Sequence, residues 1–207
     1  MLNRNYLRKK YPLLYYVYLI STQKKTDRNL IGETRCFGLE NPDKTFFIIK
    51  LNNPHLGLFA IYNCILGYLR VANINGFIPI VDLKNYKNDY LQDEEIGTIN
   101  VWEYYFNQPT NYSLDEIYRS KNVIFSSGVP PREAHPIALN CLLKNKKRRE
   151  YYFNLINNQL QINRATQIKI NNAYKNILNE KRVIGVLSRG SDYINCKGHT
   201  IQLTQKP

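Results

Sequence analysis

This sequence lacks the signatures of the commonest enzyme chemistries. It has no Gly-x-x-x-x-Gly-Lys phosphate loop, no Gly-x-Gly-x-x-Gly turn, no Gly-x-Ser-x-Gly elbow and no His-Glu-x-x-His helix. NTPase, dehydrogenase, serine-hydrolase and zincin readings therefore lose their usual support. An Asp-x-Asp pair, the mark of metal-dependent sugar transfer, is also missing. The four cysteines, Cys36, Cys64, Cys141 and Cys196, form no Cys-x-x-Cys pair, and the three histidines stand far apart. No metal site is expected from such spacing. Unpaired thiols suit a reducing compartment, here the cytoplasm. Long apolar runs are scarce too. The first, residues 13–20, is too short to cross a hydrocarbon layer about 30 Å thick as a helix. It is rich in tyrosine and preceded by Pro12, which makes a poor signal peptide. A plain first helix or strand is expected there, with peripheral contact to the inner face of the plasma membrane as the alternative.

Basic residues and tyrosine are abundant. Lysine and arginine total 29 against 16 acidic residues, a net charge of +13, and there are 17 tyrosines. Such a charge suits a polyanionic partner. It is equally the product of AT-rich coding, which also fills the chain with Asn, Ile and Tyr. The basic residues are scattered. The one tight run, Lys144, Lys146, Lys147, Arg148 and Arg149, reads as a solvated helix start or loop. A nucleic-acid-binding module rests on charge alone, and no nucleic-acid partner is expected.

Hydrophobic residues make up 43% of the 207, enough for a sizeable core. Residues 21–45 are polar and turn-rich and read as a loop or weak hairpin. Residues 46–51 (FFIIKL) read as a strand, and 52–57 (NNPHLG) as a turn. From 58 to 75 the apolar residues recur at helical spacing, with Gly76 placed to end the helix. Residues 77–83 (FIPIVDL) read as the next strand. Apolar strands on both sides of a helix predict a βαβ unit with parallel strands, whose ligand edge is the carboxyl end. Further along, 113–118 reads as a short helix and 122–127 as a strand. Helices are expected at 133–143, 147–162 and 166–180, and a last strand at 183–187. The fold class predicted is α/β, a Rossmann-like parallel sheet with flanking helices. The expected organisation is an N-terminal extension over 1–45, a Rossmann-like lobe with a helical insert over 46–182, and the first strand and loop of an incomplete second lobe over 183–207. So short a remainder predicts a truncated chain.

Several residues could carry chemistry. Arg189 follows an apolar strand, in a loop with Gly190, Ser191 and Asp192. Its planar fork matches phosphate oxygens two at a time, although an ion pair with Asp192 is the plainer reading. His55 lies beside Gly57 in the first βα loop, placed for acceptor or donor, or simply bonded to backbone. Glu103 sits among aromatic residues. A carboxylate against rings suits a general base, while Trp102 and Tyr104 offer faces to a sugar. The plainer reading is an aromatic core cluster with one exposed glutamate. Asp82 ends a strand at the ligand edge, or caps a turn. His199 could bond a phosphate or ribose.

The stretch 183–193 (VIGVLSRGSDY) resembles the fucosyltransferase motif His-x-Arg-Arg-x-Asp that follows a Val-Gly-Val strand. It resembles more closely a bacterial polysaccharide-biosynthesis group with a GVLxRGTDY-like version and a KGHP-like stretch after it. Residues 197–202 (KGHTIQ) stand in that second place. Residues 100–106 (NVWEYYF), Gln108-Pro109, 112–114 (YSL), Gly57 and 80–82 (IVD) are also similar to that group. Leu187 and Gly190 depart from the motif's His and second Arg, and Thr200 and Leu203 replace prolines. The resemblance implies one lobe of a two-lobe GT-B glycosyltransferase. Such an enzyme moves a sugar from a nucleotide donor, commonly GDP-linked, with inversion and without a cofactor or required metal. The acceptor would be a glycan or lipid-linked glycan of capsule or O-antigen type. Arg189 would bind the donor diphosphate, with Ser191, Asp192, His199 and Gly57 beside it. Glu103 would assist catalysis, and His55, Trp102 and Tyr104 would meet the acceptor. An inactive truncated lobe is the alternative.

Overall fold

The structure, a computed structural model, describes residues 31–51, 53–127 and 146–178, together with Tyr6, Lys10, Tyr11, Leu14 and Tyr15. These residues fall into two compact units divided between Gln167 and Ile168.

The first unit is built on four strands: β1 (Ile31–Arg35), β2 (Glu40–Ile49), β3 (Ile78–Val81) and β4 (Ser120–Ser126). Their order across the sheet is β1-β4-β2-β3. β2 pairs in parallel with both β3 and β4. Its last four residues, Phe46, Phe47, Ile48 and Ile49, have no exposed surface. A strand apolar on both faces must be covered on both, which explains its unbroken apolar run. Each such side chain is worth about 1.5–3 kcal/mol in burial.

One expectation is corrected here. The sheet is mixed, because β1 runs antiparallel to β4. Residues 31–35 are polar because only one side of this strand meets the core: Ile31 and Gly32 are half-buried and the rest are exposed. A strand with so little to bury carries no apolar run to announce it. The chain then turns at Phe37 and Gly38, whose N–H groups both donate to the Ser120 carbonyl. The sheet thus begins inside the 1–45 segment, and β2 starts six residues before the predicted strand.

The first helix, α1 (Leu58–Asn75), joins β2 to β3. Gly76 ends it in the left-handed region at φ 69°, and the Phe77 N–H closes back on the Ala72 carbonyl at 2.9 Å. α1 is buried around most of its middle, from Ile61 to Ala72. Phe47, Ile49 and Val81 of the sheet share a core with it. The same core takes in Leu91, Val101, Trp102 and, from α3 (Lys146–Gln159), Tyr152 and Leu155. The opposite sheet face is smaller. Phe46, Ile48, Ile80, Val123 and Phe125 are covered there by Tyr112, Tyr118 and the one-turn helix α2 (Leu114–Ile117). Ser113 caps α2 through a bond from the Glu116 N–H.

α4 (Arg164–Ala173) continues into a wider π turn at Tyr174–Leu178. In the second unit, Ile168, Ile170, Tyr174 and Ile177 are all exposed. The predicted helix at 133–143 and strand at 183–187 lie outside the described residues. No described helix is long and apolar enough to cross a membrane.

Candidate functional site

β2, β3 and β4 all end at one edge of the sheet. β2 lies between the other two, so its carboxyl end is the middle of this edge, the side of a parallel sheet where ligands bind. Lys50 follows β2 at this edge. Its backbone is fixed by the buried Ser126 at the end of β4: the Lys50 N–H donates to Ser126 Oγ at 2.9 Å, and that hydroxyl donates to the Lys50 carbonyl at 2.8 Å. The Lys50 ammonium lies 4.9 Å from the Phe125 ring centre and 5.0 Å from that of Tyr86. Among the described residues, no carboxylate pairs with it. Arg35, from β1, places its guanidinium 5.5 Å from the same Phe125 ring and pairs with Glu33 at 2.8 Å. Two cations thus share one ring, and only Arg35 has a carboxylate partner. Aromatic faces hold a cation without neutralising it.

Behind these cations runs a buried polar chain. Asp82, fully buried at the end of β3, accepts from the Lys84 and Asn85 N–H groups at 3.0 Å each, from Asn85 Nδ2 at 2.9 Å and from the Tyr118 hydroxyl at 2.7 Å. Burial, the Asp82 charge and these hydrogen bonds push the Tyr118 phenol far above its ordinary value. Tyr86 is also raised, by burial first and then by Asp82. Asp82 therefore does the work of a turn: its four bonds lock the chain as it leaves the sheet.

The remaining predicted residues divide into three groups. His55 is at the edge, exposed, with Nδ1 2.9 Å from Asp89 Oδ1, and its backbone N–H donates to Asn53 Oδ1 at 3.0 Å. The Asp89 N–H in turn donates to the Pro54 carbonyl, which ties the two loops leaving β2 and β3 to each other. Gly57 caps α1 in an extended conformation with open space where a side chain would stand, so close approach does not require glycine there.

The second group flanks β3. Trp102 is 1% exposed; its indole stacks on Phe106 at 4.3 Å and donates to the Asn107 carbonyl at 3.1 Å. Its ring is core, not platform. Tyr104 is half-exposed, and its carbonyl accepts from the Thr166 hydroxyl. Glu103 is exposed rather than enclosed by rings. Its Oε1 accepts from Gln108 Nε2 at 2.8 Å and from Asn100 Nδ2 at 3.2 Å. Both amides also donate to the Val81 carbonyl. Among the described residues, no contact joins this group to His55.

Arg189, Ser191, Asp192 and His199, the third group, lie outside the described residues. Lys50, Arg35, Tyr86 and Tyr118 were not singled out from the sequence. Only Lys50 carried a signal, as the one charged residue inside the predicted strand 46–51, which in the structure ends at Ile49.

Among the described residues, no cluster of three or more His, Cys, Asp or Glu side chains is placed to hold a metal ion. Comparison of the chain with protein-family models, curated proteins and solved structures finds no match. Taken alone, fold and site define an α/β protein whose carboxyl edge carries Lys50, the buried Asp82 and the His55–Asp89 pair.

Proposed function

We propose that this chain is a fucosyltransferase-like glycosyltransferase lobe. It takes a sugar from a nucleotide donor, GDP-linked by the resemblance, to a glycan or lipid-linked glycan of the cell surface. The observation that supports this best is Lys50: a cation held by two rings, without a carboxylate partner among the described residues, at the carboxyl end of the central parallel strand. Charge at that edge suits the phosphates of a donor or of a lipid-linked acceptor. Arg189 is the second cation of the reading. A preorganised arginine stabilises most where negative charge grows, on the departing diphosphate. His55, hydrogen-bonded to Asp89, is the histidine nearest in the chain to that edge and meets the acceptor. The work is done in the cytoplasm, at the inner face of the membrane where lipid-linked glycans are built.

The test uses the full chain with GDP-fucose and other nucleotide sugars, following nucleoside diphosphate release. Arg189→Ala should abolish release and leave the unfolding midpoint unchanged. Equal release by Arg189→Ala and the parent would end the proposal. So would binding confined to RNA or DNA with steep salt dependence.

A further inference from the structure

A second site lies at the other end of the helical layer. Asn73 is near the C-terminal end of α1, the end that leads into the start of β3, and so sits away from the carboxyl edge. Against it runs the second half of α3. Between them is a solvent-open cleft of about 160 Å³, lined by Asn73, Tyr151, Asn154, Leu155, Asn158 and Gln159.

The lining is unusual for this chain. Net charge is +13, and α3 opens with Lys146, Lys147, Arg148, Arg149 and Glu150, yet residues 151–163 hold no charged residue at all. The cleft presents four carboxamides, one phenol ring and one leucine. Gln159 Nε2 donates to Asn73 Oδ1 at 3.1 Å, which links the two helices, while Gln159 Oε1 is buried without a hydrogen-bond partner. A buried acceptor left unpaired costs stability until a donor reaches it. Tyr151, 38% exposed, stands edge-on to Tyr152 with ring centres 5.4 Å apart.

A carboxamide donates and accepts at once, and so does each sugar hydroxyl. Neighbouring amides therefore match vicinal hydroxyls. An exposed ring adds a face for the sugar's C–H groups, as ligand sites combine apolar walls with a few placed polar groups. Among the described residues, no cation lines the cleft to take a phosphate. We infer that this cleft is a carbohydrate-binding site for an uncharged hexopyranoside, separate from the carboxyl edge and independent of any transfer activity.

The experiment is NMR titration of the full chain, following its side-chain amide resonances. The probes are methyl α-D-mannopyranoside, methyl β-D-galactopyranoside and methyl α-L-fucopyranoside, with glucuronate and guanosine as comparators. At least one glycoside should shift the Asn73, Asn154, Asn158 or Gln159 amides with a Kd of about 1 mM. The exposed-site double variant Asn154→Ala/Asn158→Ala should weaken that by about tenfold, and Tyr151→Ala should weaken it independently. The inference is overturned if no glycoside moves these amides, if guanosine alone moves them, or if the double variant binds as the parent does. Folding of each variant is read from the same spectra, so lost binding with dispersed peaks still counts for the site.

Discussion

The Gln108 side chain pairs with Val81 as a neighbouring strand would. The Val81 N–H donates to Gln108 Oε1 at 2.9 Å, and Gln108 Nε2 donates back to the Val81 carbonyl at 2.9 Å. Asn100 adds a second bond to that carbonyl and accepts from the Leu83 N–H. Two amides thus finish the open side of β3. Gln108→Leu should cost about 1–3 kcal/mol, the range for stranding a buried backbone group. Urea unfolding measures it, and amide exchange at Val81 should accelerate. A protected Val81 amide in the variant would show that another group holds it.

Glu103 separates two roles cleanly. If its carboxylate chiefly steadies Asn100 and Gln108, Glu103→Gln should lower stability by about 1 kcal/mol and loosen Val81 exchange. A general base would instead lose turnover with stability and exchange unchanged. We expect the first pattern, because both amides bond the carboxylate and the strand together.

Tyr118→Phe keeps the ring against Phe37, at 5.1 Å, but strips one donor from buried Asp82. A loss of about 1–3 kcal/mol is expected, since Asp82 retains its other partners. The pH dependence follows from the phenols. Tyr118 and Tyr86 ionise above the ordinary 10.0 in the folded chain. Their stabilisation is fully present below that value. It falls as pH rises past it, because the unfolded chain loses those protons first. Unfolding midpoints across the alkaline range should decline less steeply in Tyr118→Phe than in the parent; parallel curves would refute the assignment.

Burial pushes the Cys64 thiol up to about 11, whereas Cys36 is exposed. The thiolate is the reactive form. Iodoacetamide at neutral pH should label Cys36 in the native chain and Cys64 only on unfolding, as peptide mapping reads directly. Equal native rates would contradict the packing of α1.

Lys50→Met retains the apolar stem between Phe125 and Tyr86 and removes the charge. GDP binding by calorimetry should weaken by about tenfold or more, with the unfolding midpoint within experimental error of the parent. Unchanged affinity would remove Lys50 from the ligand site.

What could be read from the sequence was whatever its own neighbours decide. α1 spans the predicted residues because helical periodicity and the glycine that ends it are both local signals. β1 was legible only as part of a loop or weak hairpin, because its strand character comes from β4, some ninety residues away, and not from apolar residues of its own. The aromatic block left two readings open, and the plainer one, a core cluster with one exposed glutamate, holds at Trp102 and Glu103. Composition places rings together but does not say whether they face solvent; Trp102 and Phe106 face each other. Glu103 is flanked in sequence by rings, yet its bonding partners are amides three residues before it and five after. Lys50 stands out only once β3 and β4 are known to lie on either side of β2.

The pairing of Gln108 with Val81 also bears on how the chain behaves in a crowd. Outward groups alternate along a strand, so those on the open side of β3 belong to Pro79 and Val81. Proline has no N–H to offer, and both polar groups of Val81 are already engaged. An exposed strand edge is a template on which other chains pair and aggregate. This one has been closed from within: among the described residues, β3 offers a foreign strand no free donor on its open side.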